Sequence, residues 1–309
     1  DNFLRMPLAA ANLGDLWRDG ILRLPALIRR RYEEILSAHG LIAEARSGVA
    51  IHGLRGGITL EATNLHLIHR FAVSGARLQF VLVSGEAQLR GAASDLISTM
   101  SDGRVRVLDI PCGAGACSAT FIDLLAELRQ KICLPSTPLN IEVLGGDASP
   151  HARTYFDELY AGLIAQWLKS GIFVKAEQMS WDATRGDSTA VLMDRFLDIE
   201  KSEPDEYVVV ISNFSGEASR AAFFEEFSPC LEQILARLSA RRFTLVWVEP
   251  GIPGAMDLLG RLQEFFSRRI RWILPAAGTT DVELRFQMQN PIARNIHSAS
   301  VKLLRHYRR

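Results

Sequence analysis

VLDIPCGAGACS, residues 107–118, is the stretch on which the reading of this chain turns. A β-rich run, RVRVLDI (104–110), leads into it and a helical stretch, 116–131, leads out, so its glycines fall where a strand turns into a helix. Gly113 and Gly115 lack a Cβ, which lets the backbone take positive φ and lets a ligand come close, while the following helix offers unpaired N–H groups. No Lys-Ser/Thr follows the glycines, which excludes a phosphate-cradling Walker loop. Asp109 disfavours a nicotinamide-binding turn, because a carboxylate just before the glycines repels a pyrophosphate held on the helix N-terminus. A cationic amino-acid ligand would be attracted instead. Ser118 also stands where the dinucleotide pattern GxGxxG has its third glycine.

Working outward, strand and helix signals alternate. Strands are expected at 104–110, 139–146, within 171–180, and at 206–212, 242–249, 271–274 and 282–289. Helices are expected at 116–131, 150–170, 187–200, 217–240 and 254–269. This alternation predicts an α/β fold: a doubly wound, mostly parallel seven-stranded sheet whose ligand crevice lies beyond the carboxyl ends of its strands. The connection AAGTTD (276–281) is too short for a parallel crossover, so the last strand should pair antiparallel with the one before it. Residues 9–48 show helical spacing, whereas 49–84 fits a few strands or a strand and a helix equally well. The expected organisation is a smaller N-terminal module rich in helix (1–100), a hinge at SDG (101–103) and a main domain over 101–309.

VLDIPCGAG resembles motif I of the class I S-adenosylmethionine (SAM)-dependent methyltransferases, an acidic residue followed by a DxGxGxG arrangement. It departs at Pro111, where a glycine is common; proline stiffens the turn. The resemblance implies a SAM-binding fold over roughly 101–290 with SAM as cofactor and methyl transfer as the activity. It also implies a cofactor loop built from Asp109, Pro111, Cys112, Gly113 and Gly115. In GGDASPHA it implies that Asp147, with Ala148 beside it, accepts the ribose hydroxyls; the residues themselves also fit a helix cap, because Asp147 and Ser149 precede a helix. In MSWDAT (179–184) it implies Asp182 as acceptor for the adenine amino group, with Trp181 either stacked on the ring or part of the core. SNFSGEA (212–218) corresponds to motif IV, which puts Ser212, Asn213 and Phe214 where methyl donor and acceptor meet.

SNFS has the asparagine and the aromatic of the Asn/Asp-Pro-Pro-aromatic motif of amino-methylating enzymes but neither proline. Cytosine C5 methylation needs a nucleophilic cysteine at this point and none is there: Cys112 lies in the cofactor loop and Cys230 in a helical stretch. No catalytic residue stands out. Displacement at a sulfonium methyl depends mainly on positioning, and a base is needed only if the acceptor must lose a proton. His151, Glu217 and Glu249 are the candidates for such a base, and WVEPG (247–251) is expected to rim the acceptor pocket.

Composition sets the outer bounds. With 48% hydrophobic and 23% charged residues in 309, the chain is far from disordered. It has no apolar run long enough to span a bilayer and no leader pattern in its first twenty residues, so a cytoplasmic location and no membrane partner are expected. Four cysteines without a CxxC pair and scattered histidines, His66 and His69 the closest, indicate no metal site. Net charge is zero, but residues 261–309 carry ten basic and three acidic groups. That tail points to RNA as methyl acceptor, while a small molecule enclosed beneath the N-terminal helices fits equally. The N-terminal module would recognise the acceptor or form a homodimer. The competing reading is a catalytically degenerate SAM-fold interaction or scaffold protein.

Overall fold

Strand Gly103–Asp109 is buried from Val105 to Asp109, on both faces of its pleat, and so belongs at the centre of a sheet. In the computed structural model, which describes residues 13–48, 57–131, 133–198, 204–214, 221–251, 260–261, 264 and 280–308, it has that place. Nine strands form one sheet: β1 (Trp17–Arg18), β2 (Ile21–Leu22), β3 (Gly103–Asp109), β4 (Leu139–Asp147), β5 (Ile172–Ser180), β6 (Glu206–Ser212), β7 (Phe243–Glu249), β8 (Thr280–Gln289) and β9 (Ile296–Arg308). Their spatial order is β1-β2-β8-β9-β7-β6-β3-β4-β5. The helices are α1 (Ala26–Ala38), α2 (Ile42–Ser47), α3 (Leu60–Val83), α4 (Arg90–Thr99), α5 (Ala116–Gln130), α6 (Pro150–Trp167), α7 (Gly186–Phe196) and α8 (Ala221–Leu238).

The period of two along each central strand divides the apolar side chains between two layers. Val105, Val107, Val143, Val208, Val210, Val246 and Val248 face a core shared with α1 and α3 to α6. Leu108, Ile110, Leu144, Val209, Ile211, Leu245 and Trp247 face a second core closed by α7 and α8. Residues of both the N-terminal region and the main domain, from Leu13 and Ile28 to Phe121 and Val210, lie in the first core. The change of texture at 101–103 is therefore a feature of the sequence and not a break in packing.

Four expectations are corrected. Among the described residues the sheet has nine strands and not seven. Two of the extra ones, β1 and β2, come from the N-terminal region, with β2 parallel to β8 through Ile21↔Gln287 and Leu22↔Met288. Of the basic stretch 261–309, residues 296–308 form strand β9, inserted between β7 and β8 and antiparallel to both. It follows β8 through a tight turn in which the Asn290 side chain accepts from the N–H groups of Ile292 (2.8 Å) and Ala293 (2.9 Å). Hence 282–289, expected to be the antiparallel strand, runs parallel to the central strands, and β9 opposes them. Its period-two apolar set, Ala299, Val301 and Leu303, is buried.

Arg305, which had been counted toward RNA, is buried and paired with Asp95 of α4, and it also donates to the Gly91 carbonyl at 3.1 Å. Finally, within 49–84, residues 60–83 form one helix, and 49–56 lie outside the described residues. Gly75 to Val83 is buried at every position, so this half of the helix shows no period from which to tell helix from strand. α3 lies so close to α5 that a Cβ on Gly75 would collide with Thr120. The strand expected at 271–274 and most of the helix at 254–269 fall outside the described residues. Among the described residues no helix is long and apolar enough to cross a membrane.

Candidate functional site

The chain steps outward from β3 to β4 and β5, then returns to pair β6 on the other side of β3. That reversal is a topological switch point, and the crevice it opens lies beyond the carboxyl ends of β3 and β6. Asp109, Asp147, Ser212 and Glu249 are the last residues of β3, β4, β6 and β7, so the fold gathers them along this one edge of the sheet.

Asp109 is buried, and its Oδ2 accepts from the Ser118 hydroxyl. Tyr160 in turn donates to Ser118 at 2.8 Å. The residue in place of the third glycine thus anchors the carboxyl. Among the described residues Asp109 Oδ1 has no hydrogen-bond partner. Burial pushes the Asp109 carboxyl up to about 7, with the nearby negative charge of Asp147 adding to the rise and the Ser118 hydrogen bonds opposing it.

The loop that follows starts with a cis Ile110–Pro111 peptide. Cys112 donates its N–H to the Gly146 carbonyl at 2.9 Å, tying the loop to β4. Its thiol is buried and pushed well up by that burial, so it is held as the neutral thiol. The two glycines serve different needs. Gly115 has φ +77°, and a Cβ there would stand 2.9 Å from the Phe156 ring. Gly113 has φ +50° and faces open space, with nothing within 4 Å of where a Cβ would be.

Asp147 joins the loop to α6. Its Oδ2 accepts from the Gly113 N–H at 2.9 Å and its Oδ1 from the Ser149 N–H at 2.8 Å. Burial raises its carboxyl above the ordinary range, and the two N–H groups oppose that rise. The cap of α6 is Ser149, whose hydroxyl accepts from the Ala152 N–H at 3.2 Å, so the capping role belongs to it and not to Asp147. Ala148 is exposed at the rim.

At the end of β5 the two expected residues part. Trp181 is buried in the second core with its indole N–H donating to Thr189 at 3.1 Å, the core alternative for this side chain. Asp182 is exposed, and its Oδ1 accepts from the N–H (3.0 Å) and hydroxyl (2.7 Å) of Thr184.

Beyond β6, Asn213 has left-handed backbone (φ 53°), and its N–H donates to the Val248 carbonyl at 3.0 Å. Phe214 is buried edge-on against Phe227. Its N–H donates to Glu249 Oε1 at 2.7 Å, and the Trp247 indole donates to the same oxygen at 2.8 Å. Glu249 is fully buried, and these bonds give it the role of a brace between β6 and β7. His151 is half-buried in the first turn of α6, and Glu217 lies outside the described residues.

The residue that sequence reasoning missed is Arg77. It reaches from α3, donates through Nε to the Ser300 carbonyl of β9 at 2.9 Å, and donates through Nη1 to Asn213 Oδ1, 136 residues away. Burial pulls its guanidinium down to about 10, and Glu249 opposes that shift, so the group stays charged at neutral pH. The one signal in the sequence was a lone arginine inside the apolar run SGARLQFVLV (74–83).

No protein-family model and no curated protein sequence matches the chain. Solved structures of methyltransferases resemble it. One is a methyltransferase from Geobacter sulfurreducens, with 14% identity over 94% of this chain and 92% of that one and a TM-score of 0.36. Another is the precorrin-6y C5,15-methyltransferase of Geobacter metallireducens, with 13% identity over 78% and 99% and a TM-score of 0.36. A third is the rRNA methyltransferase aviRa of Streptomyces viridochromogenes, with 14% identity over 70% and 84% and a TM-score of 0.31. The strand order and the residues at the strand ends, rather than these distant likenesses, define the crevice.

Proposed function

We propose that the crevice beyond β3 and β6 binds SAM and that the protein transfers its methyl group to an acceptor. The observation that carries this reading is the junction of Asp147 with Gly113: a carboxylate on a rigid strand end, held against a loop whose glycine leaves room for a ligand. Each Asp147 oxygen accepts one N–H, and a carboxylate oxygen can accept two, so a lone pair on each remains for a ribose hydroxyl. The unpartnered Oδ1 of Asp109 suits the ammonium group of an amino-acid ligand. Asp182, exposed with one oxygen in its turn, is the candidate acceptor for the adenine amino group.

When bound, SAM supplies an electrophilic methyl on a sulfonium. The protein's part is to hold and orient. Asp109 and Asp147 fix the two ends of the ligand, Gly113 admits it, and the Asn213 end of β6 faces the acceptor side. Positioning of this kind accounts for much of the rate in an in-line displacement. Calorimetric titration with SAM, S-adenosylhomocysteine (SAH) and NAD tests the reading. Binding of both adenosyl compounds without NAD is the expected outcome. Failure to bind either would end it and favour a protein that uses this fold for interaction alone.

A further inference from the structure

Just beyond β6, half-buried Asn213 carries an amide whose two ends are unequal. Arg77 has only donors, so the atom of Asn213 turned toward it is Oδ1, and Nδ2 points the other way. Arg77 cannot swing aside freely: it is 6% exposed and is held a second time by the Ser300 carbonyl. Nδ2 is buried and, among the described residues, has no hydrogen-bond partner. The two backbone N–H groups beside it are engaged, that of Asn213 with Val248 and that of Phe214 with Glu249. A buried donor without a partner is costly, and a ligand atom that accepts is the partner it lacks.

We infer that Arg77 turns Asn213 so that it presents a donor to the reacting position, and that the methyl acceptor is therefore an ionised oxygen, of the carboxylate class, and not an amine. This inference rests on the SAM reading above. An amine would bring its own N–H groups against those of Nδ2, whereas an anionic oxygen accepts from them. The positive charge of Arg77, on the Oδ1 side of the amide, adds to the attraction for an anion. Such an acceptor also matches a site in which Glu249 is committed to two N–H groups. The oxygen attacks the methyl carbon in line, the C–O bond forms as the C–S bond breaks, the electron pair stays on sulfur, and no proton has to move. The arrangement makes Asn213 a specificity-determining residue and Arg77 the residue that positions it.

The test uses two ligands that differ at the reacting position: SAH, with a bare thioether, and sinefungin, in which a carbon bearing an ammonium group replaces the methylsulfonium. Both are titrated calorimetrically into the whole protein. The wild type should bind SAH at least as tightly as sinefungin. Asn213→Gly keeps the left-handed backbone and removes the amide; it should shift the preference toward sinefungin by about threefold or more. Asn213→Asp keeps a partner for Arg77 and replaces the donor with an acceptor; it should shift the preference toward sinefungin on the order of tenfold. A shift toward SAH in Asn213→Gly would mean that Oδ1 faces the ligand and would overturn the inference. Unchanged preference in both variants would overturn it too, by showing that Asn213 does not face the reacting position. Failure of the wild type to bind either compound would instead bring down the SAM reading on which the inference stands.

Discussion

The two strand ends that frame the crevice are built in opposite ways. At β3 the partner of the carboxyl is close in sequence: Asp109 is held by Ser118, nine residues on, and the loop is tied to β4 through the backbone N–H groups of Cys112 and Gly113. At β6 the partner of the Asn213 side chain comes from α3, 136 residues away in the N-terminal region. A cradle made of backbone groups needs only a local pattern of glycines and one carboxylate. The orientation of a side-chain amide needs a second side chain, and nothing near Asn213 in the chain supplies one. The N-terminal helices thus supply a hydrogen-bond partner to the residue that follows β6.

The strongest way to break this comparison is Arg77→Met. It removes two hydrogen bonds from a buried charged donor and should cost about 3–5 kcal/mol in chemical denaturation. A loss below about 1 kcal/mol would mean that α3 does not brace β6. Next come the paired glycines. Gly115→Ala should cost about 2–4 kcal/mol, from left-handed backbone together with collision against Phe156, and Gly113→Ala only about 1–2 kcal/mol, from backbone alone. Equal losses would erase the distinction between the packing glycine and the ligand-facing one.

Asp147→Ala should leave two backbone N–H groups unpaired, at about 1–3 kcal/mol of stability, and should lower SAM affinity at least tenfold by calorimetry. Unchanged affinity would restrict Asp147 to tying the loop to α6. The last test is the pH dependence set by Asp109. Its carboxyl is raised from 3.8 to about 7 in the folded protein, so its contribution to stability is full below about 3.8 and is lost as pH rises through 7. Binding runs the other way, because an ammonium ligand needs the carboxylate. SAM affinity should fall as pH drops below about 7, by up to about tenfold per unit, and Asp109→Asn should flatten that profile. A profile already flat in the wild type would show that the ligand's ammonium does not meet Asp109.

Much of this architecture was legible from residues alone. Six of the expected strands correspond to β3 to β8, and the glycine loop and the carboxylates at the ends of β3 and β4 lie where their motifs pointed. β9 was passed over because its arginines and lysine drew attention to charge, although Ala299, Val301 and Leu303 alternate as a strand requires. Trp181 could be stacked or buried on paper, and only the packing of α7 against it, with Thr189 receiving its N–H, placed it in the core. α3 hid its helical period because its second half is buried all round.

What the sequence determined by itself is therefore what short-range physics dictates: alternating strands and helices, a turn that needs glycine, and acidic residues at strand ends. Tertiary structure alone decided that β9 enters between β7 and β8, that Arg305 pairs with Asp95 across 210 residues, and that Arg77 orients Asn213. These depend on buried polar groups finding partners. Arg77 and Arg305 are each paired with a group from a distant part of the chain, and spacing along the sequence carries no record of that distance.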